Sequence, residues 1–161
     1  MSRNKTNTRI IKREFLYEDS ASGKPITVCK TTFECKIHDS LIEHLNYYDQ
    51  LDKMFNKLTE TGAELIEAAN ANDYTVYTLS ITRRVACHEG DVYDEKLGRD
   101  IASTKCNIAI FRLMQLLNKC ILECTCSKVI ARVLNNQANN EIAWSEEKTH
   151  LDYLLSKIQS K

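Results

Sequence analysis

Arg83, Arg84 and His88 stand together just before Gly90-Asp91, and Lys105 follows about three turns into a helical pattern that starts near Asp94. A helix N-terminus presents unpaired backbone N–H groups and a partial positive charge, so arginines beside it suit an anionic ligand. These four residues are the candidate ligand-binding set. Three other arrangements invite chemistry and lose to simpler explanations. Asp19 with Glu34-Cys35-Lys36 fits the order in which two carboxylates hold Mg²⁺ and a lysine orients water. In a chain with 27% charged residues, however, a Glu-x-Lys triplet arises by chance, and Asp19 sits in turn composition. Cys87-His88 offers a thiol and a base, but neighbours in an extended segment point to opposite faces, and a general base must approach its nucleophile in space. Cys120-x3-Cys124-x-Cys126 and Cys35-x2-His38 lack the paired Cys-x2-Cys knuckles of a zinc site, and Cys120 and Cys124 stack one turn apart on an apolar helical stripe. The sequence thus predicts no catalytic residues, no metal and no cofactor, and a protein that is not an enzyme.

Composition narrows the partners. Lysine plus arginine (22) balance aspartate plus glutamate (22), with a pI near 6.9, so bulk attraction to nucleic acid is not the organising force. Nucleic acid remains the alternative partner to a nucleotide-like small molecule, through a local basic patch. The most apolar stretch, about residues 108–122, is interrupted by Arg112, Gln115, Asn118 and Lys119, short of the ~18 apolar residues of a membrane span. No apolar leader opens the chain, and an odd number of cysteines (7), most within apolar periodic segments, reads as reduced, buried thiols. A cytoplasmic protein without membrane contact is expected.

The elements that position these residues follow from periodicity. Residues 1–7 are polar and aperiodic and read as a flexible arm, ahead of a single domain over 8–161. Thr8 to Tyr17 and Ile26 to Ile37 form a hairpin around Ser20-Ala21-Ser22-Gly23-Lys24-Pro25. Asp39 caps a helix running to about residue 58, and Ala63 to Ala71 reads as a second, weaker helix rich in Ala and Glu. Tyr74 to Cys87 alternates as a half-buried strand, which puts Arg84 on the polar face and Arg83 on the apolar one. There Arg83 must reach water, a carboxylate or an anion. From Asp94 to about Leu134 the period is helical, with a weak point at Cys124-Thr125-Cys126-Ser127. Asn135 to Asn140 reads as a polar break before a last amphipathic helix over 142–158. The predicted fold is α+β: a three-stranded antiparallel sheet in the order ββ-αα-β, a long C-terminal helix and a final amphipathic helix. Because residues 106–124 are apolar on nearly every side, a homo-oligomer joined through this helix is expected.

Cys87-His88-x2-Asp91-x-Tyr93-Asp94-x3-Gly98-x2-Ile101-Ala102-x2-Lys105 resembles a motif of small bacteriophage and prophage proteins, over about 20 residues of the chain. It departs from that motif at Glu89, where proline is usual, and at Lys105, where arginine is common. Small phage proteins of similar architecture, the Thoeris anti-defence sponges among them, look like oligomeric binders of cyclic-nucleotide or cyclic ADP-ribose signals. The resemblance therefore implies a non-enzymatic phage or mobile-element accessory protein, with an anti-defence role, that binds a nucleotide-like anion. A nucleic-acid-binding module, a Mg-dependent nuclease and a structural or assembly protein are the alternatives.

Overall fold

The computed structural model describes residues 7–47, 51–87, 90, 92–124 and 127–159. The elements in chain order are β1 (Thr8–Asp19), β2 (Pro25–His38), α1 (Asp39–Tyr47), α2 (Leu51–Glu60), β3 (Ala63–Ala71), β4 (Tyr74–Ala86), α3 (Glu95–Cys124) and α4 (Ser127–Gln159). The strands form one antiparallel sheet in the order β1-β2-β4-β3. The class is α+β, as the sequence predicts, with four strands in place of three.

The extra strand is the segment read as a helix from its Ala and Glu content. Asn72, in the left-handed region at φ 57°, and Asp73 make a two-residue connection, so Ala71 lies opposite Tyr74 and the chain runs back along β4. Pairing with a strongly alternating neighbour overrides the modest helix propensity of residues 63–71. The helical span expected over 39–58 is present as α1 and α2, on either side of residues 48–50, which lie outside the described residues. The polar break expected at Asn135–Asn140 is absent. α4 runs through it, with Asn140 fully buried and Gln137 donating from Nε2 to Glu141 Oε1 at 3.1 Å one turn on. The weak point expected at Cys124-Thr125-Cys126-Ser127 falls between the end of α3 and the start of α4, with residues 125 and 126 outside the described residues.

One face of the sheet makes the core. Cys29, Phe33, Cys35 and Ile37 of β2 alternate inward with Tyr77, Leu79 and Ile81 of β4, all buried. α3 lies on this face, and α4 packs chiefly along α3. Enclosed between sheet and α4, with α1 and α2 at its flank, α3 buries Ala102, Cys106, Ile110, Leu113, Leu117 and Ile121. Its all-round apolar character is therefore accounted for within one chain, which removes the ground for expecting it as a subunit interface. No helix of the described residues is long and apolar enough to cross a membrane.

Gly98 sets how closely α3 approaches. A Cβ there would lie 2.8 Å from Thr27 Oγ1, so only glycine lets the first turns of the helix rest on β2. Asp94 caps the same end, its Oδ1 accepting from Leu97 N at 3.0 Å, and Glu95 pairs with Arg99 at 3.2 Å, as the spacing predicts.

Candidate ligand-binding cleft

Of the residues singled out around Gly90, the two arginines do not converge. Arg83 and Arg84 occupy opposite faces of β4. Arg83 donates from Nη1 to Thr82 O at 2.9 Å and from Nη2 to Thr61 O at 3.2 Å, so its guanidinium serves the chain just beyond α2. Arg84 pairs with Glu18 on the exposed face at 3.3 Å, spanning from β4 to β1 across Val28 of β2. Lys105 is half-buried on α3, and His88, like Asp91, lies outside the described residues. A cavity does adjoin this segment, but it holds only about 50 Å³ and is lined by Thr27, Val85, Cys87, Tyr93, Gly98 and Ile101 among others. That is room for a water or two. The residues that resemble the phage motif thus have packing roles here: Tyr93 reaches Thr27, Asp94 caps α3, Gly98 permits close approach, and Ile101 and Ala102 are in the interior.

The nuclease trio is likewise not assembled. Asp19 lies opposite Pro25, whereas Glu34 is nine residues further along β2, about 30 Å at ~3.3 Å per residue. Glu34 instead faces Arg9 at 3.8 Å, and with Lys12–Glu14 and Arg84–Glu18 this makes the open face of the sheet a lattice of paired charges. Among the described residues no three His, Cys, Asp or Glu side chains are grouped to hold a metal ion.

The better-built site lies where β2 and β4 meet α1 and the α3–α4 pair. A cleft of about 400 Å³ opens there, lined by Asn7, Lys36, His38, Tyr74, Asn118, Arg132 and Asn136 over an apolar floor of Ile37, Leu41, Ile121 and Val133. Its size falls within the ~300–1,000 Å³ of small-molecule sites. His38 ends β2 directly opposite Tyr74 at the start of β4, and their rings meet edge to face at 5.0 Å and 78°. His38 Nδ1 accepts from Ser40 N at 3.2 Å and contacts Ser40 Oγ at 2.7 Å, which places the ring proton on Nε2. Ser40 is thereby engaged in the turn that opens α1.

Two amides give the cleft its polarity. Asn118 on α3 is 1% exposed, and its Nδ2 has no hydrogen-bond partner among the described residues. Asn7, whose carbonyl accepts from Lys36 N at 3.2 Å and whose Nδ2 donates to Cys35 Sγ at 3.7 Å, holds its Oδ1 buried and equally unpartnered. An unpaired buried donor costs about 1–3 kcal/mol, so a cleft carrying an unmet donor and an unmet acceptor is arranged for a group offering both. Lys36 and Arg132, exposed at the mouth, supply positive charge. In the sequence Asn118 registers only as an interruption of an apolar segment, and Arg132 and Asn136 fall at an expected helix end. The readable signal is an asparagine within a helix that is apolar all round. No protein-family model, curated protein or solved structure matches this chain, so the cleft itself, a charged mouth leading to unpaired buried amides, is what identifies the site.

Proposed function

We propose that this protein binds a nucleotide-like anionic ligand, without transforming it, in the cleft between His38, Tyr74 and Asn118. The observation that carries the reading is the unmet Nδ2 of Asn118, 1% exposed and facing a cavity large enough for a base and sugar. Phosphate oxygens would meet Lys36 and Arg132 at the mouth, and Tyr74 with His38 offers an aromatic wall to a base. Asn118 Nδ2 and Asn7 Oδ1 would read a base edge that presents one acceptor and one donor, as adenine does. Arg9, Lys12 and Arg84 on the open sheet face are each paired with a carboxylate, which favours a small ligand over a nucleic-acid backbone as the partner. A link between such binding and phage anti-defence rests on the short motif at residues 87–105 alone.

Thermal unfolding of the full chain with AMP, cyclic AMP and cyclic ADP-ribose isomers, against adenosine and inorganic phosphate, tests the proposal. A bound nucleotide at a hundredfold excess over Kd raises stability by about 2.7 kcal/mol, a readily measured rise in Tm. Arg132→Ala is expected to weaken that binding by about ten- to a hundredfold, the equivalent of ~1.5–3 kcal/mol for a charged hydrogen bond, without lowering the Tm of the free protein. A folded protein whose Tm moves with none of the nucleotides would overturn the reading.

A further inference from the structure

A second cluster of reactive groups lies where β1 and β2 meet α3, away from the cleft. Cys29 of β2 and Cys106 of α3 are both fully buried and lie against each other, the Cys106 thiol reaching the Cys29 backbone. Cys106 Sγ sits 3.5 Å from Cys29 O and 3.9 Å from Ile81 O, so it docks over the β2–β4 seam. Around Cys29 are the Thr31 hydroxyl at 3.5 Å, Ser103 and the guanidinium of Arg13, which is itself held by Asn107 Oδ1. The Cys106 thiol, the Thr31 and Ser103 hydroxyls and a neighbouring cation together outweigh burial, and the Cys29 thiol is lowered to about 6, chiefly by the Cys106 thiol. Cys35, by contrast, is pushed up to about 12 by burial.

We propose that Cys29 and Cys106 form an oxidation site at which a hydroperoxide converts the two thiols to a disulfide joining β2 to α3. The Cys29 thiolate attacks one peroxide oxygen, an S–O bond forms, the O–O bond breaks and hydroxide leaves. Cys106 then attacks the sulfenic sulfur, giving up its proton. The S–O bond breaks, the S–S bond forms and the second oxygen leaves as water. Two thiols are oxidised and one peroxide is reduced to two waters. Arg13, half-exposed on the edge strand β1, marks the side from which so small an oxidant enters.

Peptide mapping decides the matter. The folded full-length protein is exposed to hydrogen peroxide, alkylated during unfolding and digested with trypsin. Residues 14–30 and 106–112 are separate tryptic peptides with one cysteine each. The expected product is these two joined by a disulfide that dithiothreitol reverses, with Cys106→Ser instead leaving a sulfenic acid on 14–30 that dimedone traps. Recovery of both peptides with alkylated thiols, or their pairing with other cysteines, from protein still folded by circular dichroism would overturn it. The wild-type map is decisive even if the variant fails to fold.

Discussion

Thr27 lies against Gly98 so tightly that a single methyl group at position 98 has nowhere to go, its Cβ falling 2.8 Å from Thr27 Oγ1. Gly98→Ala is expected to cost about 1–3 kcal/mol in urea denaturation despite alanine's better helix propensity. Adding Thr27→Ala, which removes the clashing oxygen, should recover part of that loss in a double-mutant cycle. The two arginines of β4 separate in the same way. Arg84→Ala removes an exposed pair with Glu18 and should change stability by less than ~1 kcal/mol. Arg83→Ala leaves Thr61 O without its side-chain donor and should cost more, about 1–3 kcal/mol. Equal effects from the two would contradict the assignment. The sequence shows that Arg83 falls on the apolar phase of its strand and needs a partner. It does not show that the partner is a backbone carbonyl 22 residues upstream, because that proximity is made by tertiary pairing of β3 with β4.

Elements were legible where local pattern and tertiary partner agree. β1, β2 and β4 alternate or are rich in β-formers, Asp94 caps α3, and all appear where the periodicity puts them. β3 and the middle of α4 were not, since both are decided by what they lie against. Ala63–Ala71 becomes a strand by pairing on β4, and Asn135–Asn140 stays helical because α3 covers it. The cover is imperfect chemically. Among the described residues both amide atoms of Asn140 are buried without a partner, as are Trp144 Nε1 and one oxygen each of Gln137 and Glu147. Asn140→Leu is therefore expected to stabilise the fold by about 1–3 kcal/mol, read as a higher urea midpoint at unchanged m. A lower midpoint would mean that the amide has bonds within the seam. The candidate cleft was illegible for the same reason as β3: its residues come from positions 7 to 136 and meet only once α3 and α4 lie beside the end of the sheet.

For the molecule as a whole, the thiols give stability a distinctive pH dependence. Cys29 ionises near 6 in the folded chain against 9.0 ordinarily, so its contribution is absent below pH 6, grows between 6 and 9 as the folded thiol ionises and the unfolded one does not, and is complete above 9. Cys106, raised by the Cys29 thiol beside it, and Cys35, raised by burial, act oppositely: above pH 9 the unfolded chain releases protons that the folded chain keeps, and stability falls. In reducing buffer the unfolding free energy of wild type relative to Cys29→Ser should climb from pH 6 to 9, and a flat difference would contradict the arrangement. The strand order carries a different consequence, for the time course of folding. β1–β2 and β3–β4 are each joined by a short turn, whereas the central β2–β4 ladder pairs Ile26 with Ala86 across 60 positions. Hairpins close in about 1–10 μs, and long-range pairing is slower because loop entropy is lost before contacts repay it. The two halves of the sheet should thus assemble early and meet late. Weakening the central seam, for instance by Thr32→Gly, should slow refolding, while trimming α4 by Leu154→Ala should chiefly hasten unfolding.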